Sequence, residues 1–243
     1  MKRLSPREML QVWESHLQFS PLQRSLHLLS VLYDTDEKTM GKLSIGERDA
    51  RLLTFREWIF GPKLMNVSQC PKCSTRIEWE TDIRDIRLHG ADEGQTEKLL
   101  LLEEDGYKVA FRLPNSLDIL ASLRSRSNPD DDRGLISRCI LDIQHDQPER
   151  KDDLPMHILA KIEEQMAEAD PQADITMVLN CPECNHRWHS TFDILHYLWM
   201  EIDNWAKKML REVAILARAF GWSENDILNM GHNRRKMYLD LIQ

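Results

Sequence analysis

The first sixty-odd residues place apolar positions at helical spacing, and the starts of the helices are marked. Ser5-Pro6-Arg7-Glu8 and Ser20-Pro21-Leu22-Gln23 each put a hydroxyl at the N-cap, proline at the first helical position and Glu or Gln where it can return a hydrogen bond to the cap. Two helices with a break near Phe19 are predicted. Val12, Trp13 and Leu17 give the first its apolar face, and Leu22, Leu26, Leu29 and Tyr33 the second. Ser44-Ile45-Gly46-Glu47 opens a third, which carries Leu52, Phe55 and Ile59 and stops near Gly61-Pro62. His16 and His27 read as ordinary helix residues, with no partner carboxylate or second histidine at a useful spacing.

Strand patterns follow. Residues 75–81 (TRIEWET) and 187–192 (RWHSTF) are strand-like and contain Trp, while 98–104 and 107–113 flank Asp105-Gly106, a dipeptide suited to the left-handed dihedrals of a two-residue hairpin turn. Pro114 ends that pattern, and Asn115 or Ser116 caps a short helix to about Leu123. A second helical group is predicted over roughly 134–170, broken near Pro148 and Pro155, and then a strand over 175–179. From Asp193 a long helix runs to about Phe220, striped by Leu195, Ile202, Met209, Val213, Leu216 and Phe220. Gly221 suits its C-cap, and Ser223 caps a final helix.

Cysteine spacing supplies the chemistry. Cys70-Pro71-Lys72-Cys73 and Cys181-Pro182-Glu183-Cys184 write one C-P-x-C pattern twice. Two thiolates separated by two residues on a tight turn aim at one point, and structural zinc takes four such ligands tetrahedrally. The four cysteines are therefore expected to hold one structural Zn²⁺. The 107 residues between Cys73 and Cys181 exceed the usual interval of roughly 15–20, but closing such a loop costs only about 4–5 kcal/mol. Binding a structural zinc releases roughly 10–16 kcal/mol, so the metal prevails. Two redox C-x-x-C motifs or a pair of disulfides are the competing readings, and His186 or His189 is a possible substitute ligand. Cys139 reads as a small core residue. The acidic run 128–133 lacks the alternation and closing Glu of a calcium loop and reads as a solvated turn.

Composition narrows the class. With 42% apolar residues in 243, the chain can bury a substantial core. A formal charge of −8 and a pI near 5.6 argue against nonspecific nucleic-acid binding, which needs a basic footprint. No stretch looks like a signal peptide or a membrane span. The expected location is the cytoplasm, where thiols stay reduced. No Gly-rich phosphate loop, H-E-x-x-H, G-x-S-x-G or nucleophile–base constellation is present. No catalytic or organic-cofactor residues are assigned, and an enzyme is not expected.

Three stretches carry a resemblance: residues 46–64 (GERDARLLTFREWIFGPKL), 111–121 (FRLPNSLDILA), and 205–242, notably Gly221-Trp222-Ser223 and 234–239 (RRKMYL). Together they resemble baseplate proteins of phage-tail-like contractile injection systems, a group similar to the T-even-type phage baseplate hub assembly proteins (chaperones). The resemblance implies a non-enzymatic assembly factor or structural component of the baseplate or hub, with baseplate or hub subunits as partners. A zinc-ribbon regulator binding nucleic acid or a transcription complex is the alternative. Residues 222–239 are expected to help dock a subunit through large apolar side chains, with Arg234, Arg235 and Lys236 as a polar rim.

The predicted fold is α+β and predominantly helical: a small antiparallel zinc-ribbon-like unit, helices from both chain ends, and a helical insertion between the knuckles. Its parts are an N-terminal helical region (1–66), first knuckle and hairpin (67–113), helical insertion (114–170), second knuckle (171–192) and C-terminal helices (193–243), read as one compact unit.

Overall fold

The computed structural model describes residues 1–15, 17–88, 99–125, 134–147 and 154–242. His16, the first residue of the strand expected from Lys98, the acidic run 128–133 and the break near Pro148 lie outside the described residues. In chain order the elements are α1 (Pro6–Ser15), α2 (Pro21–Tyr33), α3 (Glu37–Gly41), α4 (Ile45–Phe60), β1 (Lys63–Gln69), β2 (Arg76–Asp82) and α5 (Ile83–Ile86). Then follow β3 (Leu99–Glu104), β4 (Tyr107–Arg112), α6 (Ser116–Ser125), α7 (Leu135–Cys139), β5 (Ile140–His145) and α8 (Met156–Ala169). A 3₁₀ turn (Pro171–Ala173) leads to β6 (Thr176–Asn180), β7 (Arg187–Thr191), α9 (Ile194–Phe220), α10 (Glu224–Leu228) and α11 (His232–Asp240). The fold is a mixture of helices and small antiparallel sheets. No helix among the described residues is long and apolar enough to cross a membrane.

The chain divides into two compact units, Met1–Glu37 with Leu195–Gln243, and Lys38–Ile194. In the first, the cap chemistry works as the sequence indicates. Ser5 and Glu8 exchange hydrogen bonds at the start of α1, and Ser20 with Gln23 and Ser223 with Asp226 form capping boxes on α2 and α10. The core gathers Leu10, Ala206, Met209, Val213, Leu216, Ile227 and Leu228. Trp13 and Trp199 satisfy their indole N–H groups on Asp203 and Ser25, at 3.1 and 3.0 Å, as buried aromatic donors require. His27, expected to lack a carboxylate, meets Glu37 at 2.9 Å. The partner sits ten residues downstream, beyond the helix, where spacing within the helix could not reveal it.

The first unit also corrects the expected docking surface. Arg235 is no rim residue: it is 2% exposed, pairs with Glu212 at 2.9 Å and donates to the Met230 carbonyl. Ile227 and Leu228 are core, and Trp222, Tyr238 and Leu239 pack against it. A guanidinium can bury its stem while its fork finds a carboxylate, which a run of three basic residues does not disclose.

The second unit holds the sheets. β3 and β4 join through Asp105 and Gly106, both at positive φ, and β5 completes the order β3-β4-β5. Their inner face packs Leu102, Tyr107, Val109 and Phe111 against Ile158, Ile162 and Met166 of α8, with Cys139 enclosed. Burial pushes the Cys139 thiol up to about 11, so it stays protonated and inert. Arg112 grips Asp118 through two bonds of 2.6 and 2.8 Å, while the Asn115 side chain accepts the N–H groups of Leu117 and Asp118. These contacts account for Arg112, Asn115 and Asp118 in the 111–121 stretch.

β5 departs from the helical reading of 134–170. Phe111 pairs with Ile140 and Ala110 with Asp142, leaving Leu141 over as a bulge. The extra residue spaces the two inward side chains Ile140 and Ile143 by three, so the strand imitates helical periodicity.

Candidate metal centre

Two hairpins of the second unit carry the cysteines at their tips. β1 pairs antiparallel with β2 around residues 70–75, and β6 with β7 around 181–186. The turns share one hydrogen-bond frame. Cys70 N–H donates to the Thr75 carbonyl and Ser74 N–H to the Cys70 carbonyl, at 2.9 and 2.8 Å; Cys181 with His186 and Asn185 with Cys181 repeat this at 2.9 and 3.0 Å. Ser74 and Asn185, the residues after each second cysteine, both take positive φ, 59° and 54°. The likeness reaches beyond C-P-x-C. Val67, Arg76 and Asp82-Ile83 recur 111 positions on as Val178, Arg187 and Asp193-Ile194, and both isoleucines are buried at the start of a helix.

All four sulfurs lie within 4.8 Å of one another, a set able to hold a metal ion. Cys70 and Cys184 approach to 3.7 Å and Cys73 and Cys181 to 3.5 Å. With metal–sulfur bonds of about 2.3 Å, the edge of a tetrahedron is about 3.8 Å, so the sulfurs already stand near the required spacing. Cys70 and Cys181 are buried, Cys184 is half-buried and Cys73 is exposed. The Thr75 hydroxyl and backbone N–H hold Cys73 down at about 6. At Cys184 the His186 backbone N–H acts in the same direction, but desolvation and the other three cysteines outweigh it and raise the thiol to about 12. Crowding thus holds the proton on Cys184, and a bound cation would displace it, since metal ligation takes thiolates. His186 and His189 do not join this group.

Convergence of hairpins so far apart in sequence has a local cause. Asp170 places a carboxylate on the start of α4, accepting the Gly46 N–H at 2.9 Å, a favourable place for negative charge. A Cβ at Gly46 would lie 1.9 Å from the Asp170 carboxylate, so any larger residue there displaces it. Gln172, buried in the 3₁₀ turn, accepts the Leu88 N–H at 2.8 Å and donates to the Ile86 carbonyl at 3.3 Å. At the far end of α4, Gly61 (φ 86°) turns the chain into β1 while Arg56 grips its carbonyl at 2.6 Å. One helix and one turn therefore aim both hairpins. Asp170 and Gln172 gave no signal in the sequence as site residues; the only trace is their place beside Pro171, just before the strand that enters the second knuckle.

α4 also buries charge. Arg48 contacts Asp49 at 2.7 Å and Ser116 at 3.0 Å, and Arg51 meets Glu47 at 2.6 Å. Burial pushes the Asp49 carboxyl up to about 6 against the pull of Arg48, helped by Asp193 and Asp170.

A family model described as T4 bacteriophage base plate protein matches residues 22–199, a span that includes all four cysteines, α4 and the Arg112–Asp118 pair. No curated protein and no solved structure gives a match.

Proposed function

Since the chain belongs to the T4 bacteriophage base plate protein family, we propose that it is a non-enzymatic assembly factor or structural component of the baseplate or hub of a phage tail or contractile injection system. In this reading one structural zinc, held by Cys70, Cys73, Cys181 and Cys184, closes a ribbon-like pair of hairpins. The family match carries the reading. The cysteine cluster supports its zinc part, because four thiolates fill a tetrahedral shell and leave no position for substrate or water. When bound, the ion supplies folding free energy, and the two turns supply preset sulfur positions. The partners are other baseplate or hub subunits, met in the cytoplasm of the producing cell.

Two measurements test the proposal. Metal analysis of the purified chain is expected to return about one zinc. Co-expression with its neighbouring baseplate components is expected to give a stable complex or a dependence of particle assembly on this chain. Particles that assemble normally in its absence would sink the assembly reading, and metal-free protein with an intact fold would sink the zinc.

A further inference from the structure

The first unit holds a cleft of about 480 Å³ lined by residues of α1, α9 and α10. Leu10 and Leu228 form its buried part, Trp13 is half-buried, and Leu210 of α9 remains 41% exposed. That volume lies in the range that accepts a small ligand or a few side chains. On the rim, Arg7 is engaged with the Asn225 side chain at 3.0 Å. Glu14 and Glu224 are exposed and have no ion-pair partner among the described residues. The neutral amide leaves the Arg7 charge in place, so two carboxylates against one guanidinium make the lining net negative, around the apolar Leu10, Trp13, Leu210 and Leu228.

A complementary surface stands on the same unit. In α11, Arg234 and Met237 are three apart and Leu241 follows four later, so they share one side of the helix. Met237 is 66% and Leu241 75% exposed. Lys236 flanks Met237 on the side away from Arg234, and Asp240 is the one acidic side chain within α11. Neither Arg234 nor Lys236 has an ion-pair partner among the described residues. This face cannot turn inward, because Arg235 is fixed to Glu212 and Tyr238 and Leu239 pack on the core. No residue of α11 lines the cleft of its own chain.

We propose that the cleft receives the outward face of α11 from a second copy of this chain, with Met237 and Leu241 against Leu210 and Trp13, and Arg234 against Glu14 and Glu224. The charge match favours this occupant: a cleft with Glu14 and Glu224 against Arg7, and a helix face with Arg234 and Lys236 against Asp240, occur on one molecule. Because the two surfaces differ, docking is either reciprocal, closing a two-fold dimer, or head to tail, building a ring or a chain. The cleft is small beside the ~800 Å² per partner of a standard interface, so association is weak and concentration-dependent. This inference does not depend on the baseplate reading.

Sedimentation velocity of the full chain across the micromolar range is expected to show a mass rising above 28.6 kDa with concentration. Arg234→Glu alone, and Glu14→Arg with Glu224→Arg in a second protein, each juxtapose like charges and are expected to weaken association by about tenfold or more. Mixing the two variant proteins restores opposite charges at every contact, and association should return. Circular dichroism of each variant confirms that it is folded. Wild-type protein that sediments as a single chain throughout, variants that associate like wild type, or a mixture no more associated than its components would overturn the proposal.

Discussion

Gly46→Ala tests how the two hairpins are aimed. The new Cβ would stand 1.9 Å from the Asp170 Oδ1 and 3.0 Å from the Ala173 backbone nitrogen, so the carboxylate must leave the start of α4. The 2.9 Å bond from the Gly46 N–H is then lost. A hydrogen bond to a charged group contributes about 1.5–3 kcal/mol, and a carboxylate on a helix N-terminus about 0.3–1 kcal/mol. Against this, alanine gains up to about 1 kcal/mol over glycine in helix propensity. The expected net loss is about 1–3 kcal/mol, or roughly 2–12 °C in Tm for a chain of this size. Asp170→Ala alone should lose about 2–4 kcal/mol by the same contacts. The double variant should lose less than the sum, because the added methyl group then meets no carboxylate and the gain in helix propensity is kept. Urea unfolding of the four proteins followed by circular dichroism gives the coupling, expected at about 2–4 kcal/mol. Additivity within about 0.5 kcal/mol, or a Gly46→Ala protein as stable as wild type, would refute the account.

Cys70→Ser or Cys181→Ser is expected to lose bound metal and melt well below wild type, whereas Cys139→Ala should keep its metal and lose only about 1–2 kcal/mol of packing; metal analysis and thermal melts separate them. Arg235→Ala leaves Glu212 charged and nearly enclosed, with an expected loss of about 3–5 kcal/mol and faster hydrogen exchange in α11 and the end of α9. For Asp49 the folded-state carboxyl titrates near 6 instead of the ordinary 3.8. Its contribution to stability is therefore complete below about pH 3.8 and is lost as the pH rises through about 6. Asp49→Asn should match wild type near pH 4 and exceed it at pH 7, which paired denaturation curves will show; a pH-independent difference would contradict the raised value.

What the sequence discloses is local. Capping boxes at Ser20 and Ser223, the Asp105-Gly106 turn and the repeated knuckles each sit within a few residues, and the structure places them as expected. Missed features have partners or periods that local patterns hide. β5 is obscured by its bulge at Leu141, and β1 by an inverted pattern that buries Asn66 while Met65 and Val67 face outward. The Gly46–Asp170 and Leu88–Gln172 contacts join residues more than eighty apart. Arg235 shows the same limit from the other side: charge in a sequence says nothing of burial until Glu212 is placed beside it.

The division of the sulfurs between the two hairpins also has a consequence for biosynthesis. Cys70 and Cys73 leave the ribosome 111 residues before Cys181 and Cys184, an interval of roughly 5–20 s at ordinary translation rates. Throughout it the nascent chain carries only two of the four thiols. A product truncated before Cys181 never progresses beyond that state, since the Asp170 and Gln172 turn has nothing to aim. In the proposed reading, binding of the ion would mark that translation has passed the second knuckle, and would separate chains stopped before Cys181 from those carried beyond Cys184.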